Sequence, residues 1–161
     1  MRFRFLIAAL VPLAFTACLS GTETITYPNV PIEQTTFNST LNVNLAASTK
    51  TASGLYIRDL TAGTGPAATA TSTVSVYYAG YRADGSPFDA RSSPSEPLTR
   101  QLGQNPPILI QGWEEGLVGM KVGGKRQLII PPSLAYGEAG IPGLIAPNSV
   151  LVFVVDLVAV Q

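Results

Sequence analysis

The sequence predicts an α+β fold in which an antiparallel sheet wraps over one short helix. Several stretches alternate apolar and polar residues with the period of a strand. Only one segment repeats apolar residues with the spacing of a helix. Glycine and proline are both abundant, at 15 and 13 of the 161 residues. They favour frequent turns, and therefore strands over long helices.

Two strands are predicted in the first half of the domain. Residues 54–60, GLYIRDL, place Leu55, Ile57 and Asp59 on one face and Tyr56, Arg58 and Leu60 on the other, and are predicted to form the first strand. Residues 73–82, TVSVYYAGYR, place Val74, Val76 and Tyr78 on one face. The Asp-Gly pair in the following RADGSPFD is a hairpin turn signal.

Two further strands are predicted in the second half of the chain. Residues 125–131, KRQLIIP, place Leu128 and Ile130 inward. Residues 150–155 are apolar on both faces, which is typical of a central strand that is covered on each side.

The single helical segment begins near Ile110. Ile110, Trp113, Leu117 and Met120 recur at spacings of three and four residues. Two glutamates follow the Trp in the first turn, where negative charge favours the helix dipole.

Composition excludes many kinds of site. Ten basic and ten acidic residues give a formal net charge of zero, so nothing favours nucleic acid as a partner. The chain has no His, which excludes Ser-His-Asp and Cys-His catalysis and His-ligated zinc. One Cys excludes an intramolecular disulfide and a multi-cysteine metal site. No cofactor or metal is therefore predicted, while paired-carboxylate and Ser-Lys chemistry stay open.

The N-terminus has the features of an export signal. Arg2 and Arg4 precede an apolar run from residue 5 to 15, which is too short to span a bilayer comfortably. The following FTAC resembles the lipobox of bacterial lipoproteins, with Phe15 where Leu is usual. The alternative is that Cys18 is an ordinary residue of the apolar run. The resemblance implies that residues 1–17 are a signal peptide and that Cys18 becomes the lipidated N-terminus. We expect a membrane-anchored lipoprotein of the bacterial cell envelope, which contacts the membrane through this anchor only.

The next segment is predicted to be a tether. Residues 18–53 are rich in Thr, Ser and Asn with scattered apolar residues, which favours a flexible, mostly extended linker. NVNLAA, residues 42–47, could form a short turn at its end. The folded domain is then predicted to span residues 54–161.

The domain closely resembles FKBP-type peptidyl-prolyl cis-trans isomerases. The resemblance rests on VYYAGYRADGSPFDAR and on LIQGWEEGLVGMKVGGKRQLIIPPSLAYGEAGIPGLIAPNSVLVFVVDL. Gly-Trp-Glu-Glu-Gly, Ala-Tyr-Gly, the Pro-Gly loop and Leu-Val-Phe occur in the family's order, and the match covers residues 54–160. It implies a half-barrel of five or six antiparallel strands curled around one short helix.

The resemblance also implies a binding pocket for proline. Trp113 would form its floor, Tyr136 would donate its hydroxyl to a substrate carbonyl, and the backbone N–H of Ile110 would donate to another. Asp89 would be the family's pocket carboxylate. The residues at matching positions are Tyr78, Phe88, Asp89, Trp113, Tyr136 and Phe153 as catalytic residues, with Leu109, Ile110, Leu144 and Ile145 as substrate-binding residues.

Three departures from the family pattern affect the pocket. Pro94 stands where the family often has an Arg that pairs with the carboxylate, and Arg91 is an alternative partner. Leu98 stands where a Phe is frequent in the loop wall. The segment GQNPPILIQGW carries two extra residues before the Trp, which reshapes the expected entrance.

The implied reaction explains why the chain lacks an obvious nucleophile. Rotation about an X-Pro bond breaks no covalent bond, so a catalyst must only bind the twisted amide better than the planar one. The expected partners are X-Pro segments of exported polypeptides and, as ligands, macrolides of the FK506 type. Two alternatives remain: a module that binds or chaperones proline-containing segments with little turnover, and a structural or adhesive lipoprotein.

Overall fold

The computed structural model describes residues 26–161, which form one antiparallel sheet and one α-helix. The elements are β1 (Thr49–Lys50), β2 (Tyr56–Thr61), β3 (Thr73–Arg82), β4 (Pro87–Arg91), β5 (Leu98–Gln101), α1 (Gln111–Gly116), β6 (Lys125–Ile130) and β7 (Leu151–Val160). The sheet order is β1-β2-β6-β7-β3-β4, and β5 also pairs with β3. The predicted class, an antiparallel sheet curled around a short helix, is confirmed. No helix within this range is long and apolar enough to cross a membrane.

The two ten-residue strands β3 and β7 form the centre of the sheet. They pair from Val74 opposite Val160 to Arg82 opposite Leu151. The other edge of β3 pairs with β5 at its start and with β4 towards its end. The sheet therefore has seven strands, more than the five or six expected, because β4 and β5 follow one another along one edge and β1 adds a two-residue strand.

The helix packs directly on β6 because two of its residues have no side chain. A Cβ atom on Gly112 would lie 2.5 Å from Cγ2 of Ile130, and one on Gly116 would lie 2.7 Å from Cδ2 of Leu128. Contact this close holds Trp113, between the two glycines, against the core. The helix ends at Gly116, so Leu117 and Met120 are buried in the turns that follow it.

A buried arginine holds the C-terminal end of this helix. The guanidinium of Arg126 donates to the carbonyls of Gly116 and Val118 at 2.8 and 3.2 Å. It also donates to both carboxylate oxygens of Asp59, at 2.6 and 3.2 Å. A buried charge needs such complete pairing, and a cation near a helix C-terminus interacts favourably with its dipole. Arg126 thus links the helix to β2 and β6.

The structure differs from the predicted flexible tether. Residues 27–50, called here the N-terminal strap, cross the outer face of the sheet through three 3-10 turns and end in β1. Ile32 and Leu41 are buried against Ile129 and Val152, which point away from the helix. This face of β6 and β7 is apolar and has to be covered, and the strap supplies the scattered apolar residues that cover it.

Polar contacts fasten the strap to the sheet. Its amide and hydroxyl side chains cap the turns: Asn38 accepts from the N–H of Thr40, and Asn44 from that of Ala47. The side chain of Gln127 donates to the carbonyl of Leu41 at 2.8 Å. Hydrogen bonds from Lys50 and Tyr56 to Glu33 hold the pKa of that carboxyl at about 2. The Thr, Ser and Asn content that suggested an open linker instead serves turns and caps.

The other predictions of secondary structure are confirmed in position. The strands predicted at residues 54–60, 73–82, 125–131 and 150–155 correspond to β2, β3, β6 and β7. Asp84-Gly85 forms the predicted hairpin turn, with Gly85 at φ 89°. The turn predicted within residues 42–47 is the 3-10 turn Leu45–Ala47.

Candidate functional site

An open cavity of about 470 Å³, called here the aromatic cavity, lies beside the start of α1. Seven of the ten predicted pocket residues line it. The complete lining is Tyr78, Asp89, Leu98, Pro107, Ile108, Leu109, Ile110, Gln111, Trp113, Ser133, Leu134, Ala135, Tyr136 and Phe153. The three predicted residues outside this lining are Phe88, Leu144 and Ile145.

Three rings form a mutually supporting group in this lining. The Trp113 ring stands edge-to-face to Tyr78 at a centroid distance of 5.0 Å and to Phe153 at 5.4 Å. Interplanar angles of 86° and 85° match the favoured T-shaped arrangement of aromatic pairs. Only 4% of Trp113 is exposed, so the ring is both cavity lining and core.

Phe88 packs against Phe153 of this group and does not line the cavity. Its ring is edge-to-face to Phe153 at 5.4 Å, and it packs against the core without lining the cavity. The two rings occupy the space that a side chain at position 80 would need. A Cβ on Gly80 would lie 2.6 Å from Cε1 of Phe153 and 2.8 Å from Cζ of Phe88. Phe88 therefore fixes the position of Phe153.

Tyr78 and Asp89 are linked by a hydrogen bond across β3 and β4. The Tyr78 hydroxyl donates to Oδ2 of Asp89 at 2.8 Å. Burial, and then this bond to a carboxylate, raise the pKa of Tyr78 to about 12. Within residues 26–161 Asp89 forms no ion pair. Arg91 does not take the role of its cationic partner, because its guanidinium donates to the carbonyl of Glu96 at 3.3 Å.

Two hydrogen-bond donors of the cavity lining have no partner within residues 26–161. Ile110 is the N-cap of α1, and its carbonyl accepts from the N–H groups of Trp113 and Glu114. Its own N–H, and the hydroxyl of Tyr136, make no hydrogen bond within the described residues. Burial and the charge of Asp89 raise the pKa of Tyr136, so its hydroxyl stays protonated near neutral pH.

Leu144 and Ile145 line a second concavity, which is formed largely by the loop that follows Tyr136. This concavity, of about 520 Å³, is also lined by Tyr27 and Arg82. Ile145 is almost fully buried and Leu144 is 42% exposed. A hydrogen bond of 2.6 Å from Arg82 to the carbonyl of Leu144 ties the loop to the end of β3. Neither residue is in the lining of the aromatic cavity, although Ile145 packs in the same core cluster as Trp113 and Phe153, and their role in substrate binding stays a prediction.

Several lining residues were not predicted. Pro107, Ile108 and Gln111 flank the predicted Leu109 and Ile110, so the apolar run before the helix was the available signal. Residues 133–135 follow β6 in the 3-10 turn Pro132–Leu134. Leu98, identified only as a departure from the family, comes from β5, a strand with no predicted pattern.

No metal centre is assembled in the part of the chain that the structure describes. Residues 26–161 contain no group of three or more His, Cys, Asp or Glu side chains placed to hold an ion. Cys18, the predicted lipidation site, lies outside the described residues.

Comparison with known proteins identifies the family to which this chain belongs. The family model of FKBP-type peptidyl-prolyl cis-trans isomerases matches residues 65–158. The chain belongs to this family. FKBP-type enzymes bind proline-containing substrates and FK506-type ligands, and this chain is an isomerase of that type.

Relatives from several bacteria are similar to this FKBP-type domain. An "FK506-binding protein" of Streptomyces anulatus is 51% identical over 108 residues, which cover 66% of this chain and 86% of the relative. An "FK506-binding protein" of Neisseria meningitidis serogroup B is 42% identical, over 66% of this chain and 96% of the relative. FkpA of Escherichia coli K12 is 48% identical, but the match spans only 38% of its length.

Solved structures show the same fold. The crystal structure of FkpA from Escherichia coli has a TM-score of 0.64 at 44% identity, covering 71% of this chain and 52% of that one. A peptidyl-prolyl cis-trans isomerase from Pseudomonas syringae has a TM-score of 0.65 at 32% identity. That match covers 84% of this chain and 99% of the Pseudomonas chain.

Proposed function

We propose that this isomerase accelerates X-Pro rotation in exported proteins by binding the twisted amide in the aromatic cavity. The unassisted barrier is about 18–20 kcal/mol, and exchange takes tens of seconds or longer. Twisting removes amide resonance and with it much of the charge separation of the planar bond. A cavity that favours the less polar, twisted amide therefore lowers the barrier without a nucleophile.

The observation that carries this proposal is the pairing of an aromatic floor with two unpartnered donors. Trp113 and Phe153 offer apolar surface for a proline ring. The N–H of Ile110 and the hydroxyl of Tyr136 can each donate to one of the carbonyls that flank the ring. Fixed donors position the two ends of the substrate while the bond between them rotates.

A protease-coupled assay on residues 19–161 tests this function. We expect faster isomerisation of a Leu-Pro tetrapeptide, and a fall in kcat/KM of about fivefold or more for Tyr136→Phe, since one hydrogen bond contributes about 1 kcal/mol. Tyr77→Phe is the matched control, because its hydroxyl bonds the carbonyl of Ser95 away from the cavity. Equal losses in both variants would argue against a role for Tyr136.

A module that binds proline segments with little turnover is the second candidate. The observation that favours it is Asp89, which accepts from Tyr78 but has no cationic partner in residues 26–161, unlike the carboxylate of the family pattern. Quenching of Trp113 fluorescence by X-Pro peptides, without any gain in isomerisation rate, would select this candidate.

We further propose that residues 1–17 direct export and that Cys18 carries the lipid anchor of an envelope lipoprotein. The FTAC motif after a short apolar run supports this. Labelling with a radioactive fatty acid in the host cell tests it: the wild type should incorporate label and Cys18→Ser should not. Equal incorporation would refute the anchor and leave the isomerase function intact.

A further inference from the structure

Residues 103–110, called here the wall loop, form one side of the aromatic cavity. Four residues of this loop line the cavity: Pro107, Ile108, Leu109 and Ile110. The last of them carries the N–H that the proposed function assigns to a substrate carbonyl. The loop belongs to the segment that is two residues longer than the family pattern, and a longer loop has more conformational freedom to lose when its ends are brought together. The position of this side of the cavity therefore depends on how the two ends of the wall loop are held.

A single residue, Glu114, forms hydrogen bonds with both ends of the wall loop. Its carboxylate oxygen Oε2 accepts from the N–H of Gly103 at 2.7 Å. Its backbone N–H donates to the carbonyl of Ile110 at 3.2 Å. Because Glu114 lies in the first turn of α1, these two bonds join the start of the loop to the helix that follows it.

The start of the wall loop has a well-defined position. Leu102 is buried, and its N–H donates to the carbonyl of Ser72 at 2.9 Å. Gly103 has a φ of 70°, and a Cβ there would lie 2.5 Å from the carbonyl oxygen of Ala70. A side chain at this position would be strained both by its backbone conformation and by this contact. The carboxylate of Glu114 thus bonds a point that its surroundings already hold in place.

The second carboxylate oxygen of Glu114 is also buried. This atom, Oε1, has no hydrogen-bond partner within residues 26–161. Burying an unpaired oxygen costs free energy, so stability alone does not favour a carboxylate here. A hydrogen bond to a carboxylate is, however, shorter and stronger than one to a neutral acceptor. Glu114 therefore provides a strong bond at the base of the wall loop at some cost in stability.

We propose that Glu114 is a positioning residue of the isomerase, which sets the place of the Ile110 N–H by bonding both ends of the wall loop. The inference rests on the proposed function, in which this N–H holds a carbonyl of the substrate. Glu114 is not in the cavity lining, so it acts through the loop and not on the substrate. Small displacements of the groups that position a substrate reduce the rate strongly.

Three substitutions of Glu114, made in residues 19–161, separate the bond to Gly103 from the charge. Glu114→Ala removes the bond and should lower kcat/KM for a Leu-Pro peptide about tenfold. Glu114→Gln keeps an acceptor on a side chain of the same length and should lose at most about threefold. Glu114→Asp keeps the charge near the start of the helix but is one methylene shorter, so it should resemble Glu114→Ala. The affinity for an FK506-type macrolide, which involves no turnover, should fall in the same order.

Glu115→Ala is the matched control on the same helix. The Glu115 carboxylate accepts from the hydroxyl of Ser53 at 2.7 Å, and neither residue lines the cavity. This variant should keep the wild-type rate. Thermal unfolding gives the midpoint of each variant, and all rates are measured well below it, so that a loss of stability alone leaves the kcat/KM of the folded protein unchanged. If Glu114→Ala does not fold, the comparison of Glu114→Gln with Glu114→Asp decides.

The outcomes distinguish this role from the function on which it rests. Wild-type activity in Glu114→Asp would assign the effect to charge and overturn the positioning role alone. Wild-type rates and macrolide affinities in all three Glu114 variants would also overturn it alone. A Tyr136→Phe variant as active as the wild type would instead count against the proposed function, and the positioning role would fall with it.

Discussion

Tyr78 donates a 2.8 Å hydrogen bond to Asp89 while its ring stands edge-on to Trp113 at 5.0 Å. The hydroxyl and the ring thus fix Tyr78 from opposite sides, one through β4 and one through α1. An uncharged acceptor would still hold the hydroxyl, through a weaker bond than a carboxylate makes, whereas no acceptor would leave it unpaired beside the cavity.

Replacing Asp89 should separate these two cases. We expect Asp89→Ala to lower kcat/KM about five- to tenfold, since an unmade hydrogen bond of this kind costs about 1–1.4 kcal/mol. Asp89→Asn keeps an acceptor for Tyr78 and should lose less than half as much free energy. Peptide isomerisation rates measure both, and an Asp89→Ala variant as active as the wild type would show that the bond does not position Tyr78.

The isomerisation rate should not depend on pH between about 5.5 and 8.5. No His is present to titrate in this range, and burial raises the pKa of both Tyr78 and Tyr136 above its ordinary value near 10. A raised pKa keeps each hydroxyl protonated to higher pH, so a decline is expected only in alkaline solution. A bell-shaped profile centred within the window would mean that proton transfer limits the rate, against the proposed mechanism.

A macrolide of the FK506 type should quench the fluorescence of the chain's single Trp. Trp113 lines the cavity, so a bound ring would contact it directly. Titration of residues 19–161 should saturate at or below micromolar ligand, and Tyr136→Phe should weaken the affinity about fivefold through one lost hydrogen bond. Unquenched emission far above micromolar would count against binding over Trp113.

Gly112→Ala should destabilise the protein although Ala is the better helix former. Propensity favours Ala over Gly by about 0.8–1 kcal/mol within a helix. The added methyl would meet Cγ2 of Ile130 at 2.5 Å inside a packed core, and overpacking of this kind costs about 1–3 kcal/mol. We expect a net loss of about 1–2 kcal/mol in urea unfolding; a stability gain near 1 kcal/mol would mean that the helix can move away from β6.

Leu41→Ala should show that the strap belongs to the folded domain. Leu41 is 8% exposed, and its carbonyl accepts from the buried Gln127. A buried Leu→Ala change costs about 2–5 kcal/mol, and we expect the low end because the site is at the edge of the core. Thr36→Ala, on an exposed strap residue, is the control. Equal urea midpoints for both variants would mean that the strap is a linker and does not stabilise the folded domain.

The sheet and most of the aromatic cavity could be predicted because their signals are local. Alternation identified β3, a run that is apolar on both faces identified β7, and the ordered motifs around Trp113 and Tyr136 identified the cavity lining. The sequence did not show how the loop that carries Leu144 and Ile145 lies against the sheet, since one contact that fastens it comes from Arg82, 62 residues away.

The packing of the strap on the sheet could not be predicted because its signals are not local. Its composition is that of a linker, and its apolar residues have no regular period. The indirect signal was the apolar outer face of β7, which had to be covered by some part of the chain. Which part covers it depends on long-range contacts, such as that of Gln127 with Leu41, 86 residues away.

The strap also limits how far the folded domain could lie from the proposed lipid anchor. The side chain of Asn148 donates to the carbonyl of Tyr27, and the N–H of Asn148 bonds Gly137, next to Tyr136 of the cavity. Tyr27 follows Cys18, the proposed anchor, by nine residues. A fully extended chain of that length spans at most about 32 Å. That is close to the thickness of a bilayer's hydrocarbon core, about 30 Å. If the proposed anchor is present, the isomerase would meet its clients within this distance of the membrane surface and not throughout the space beyond it.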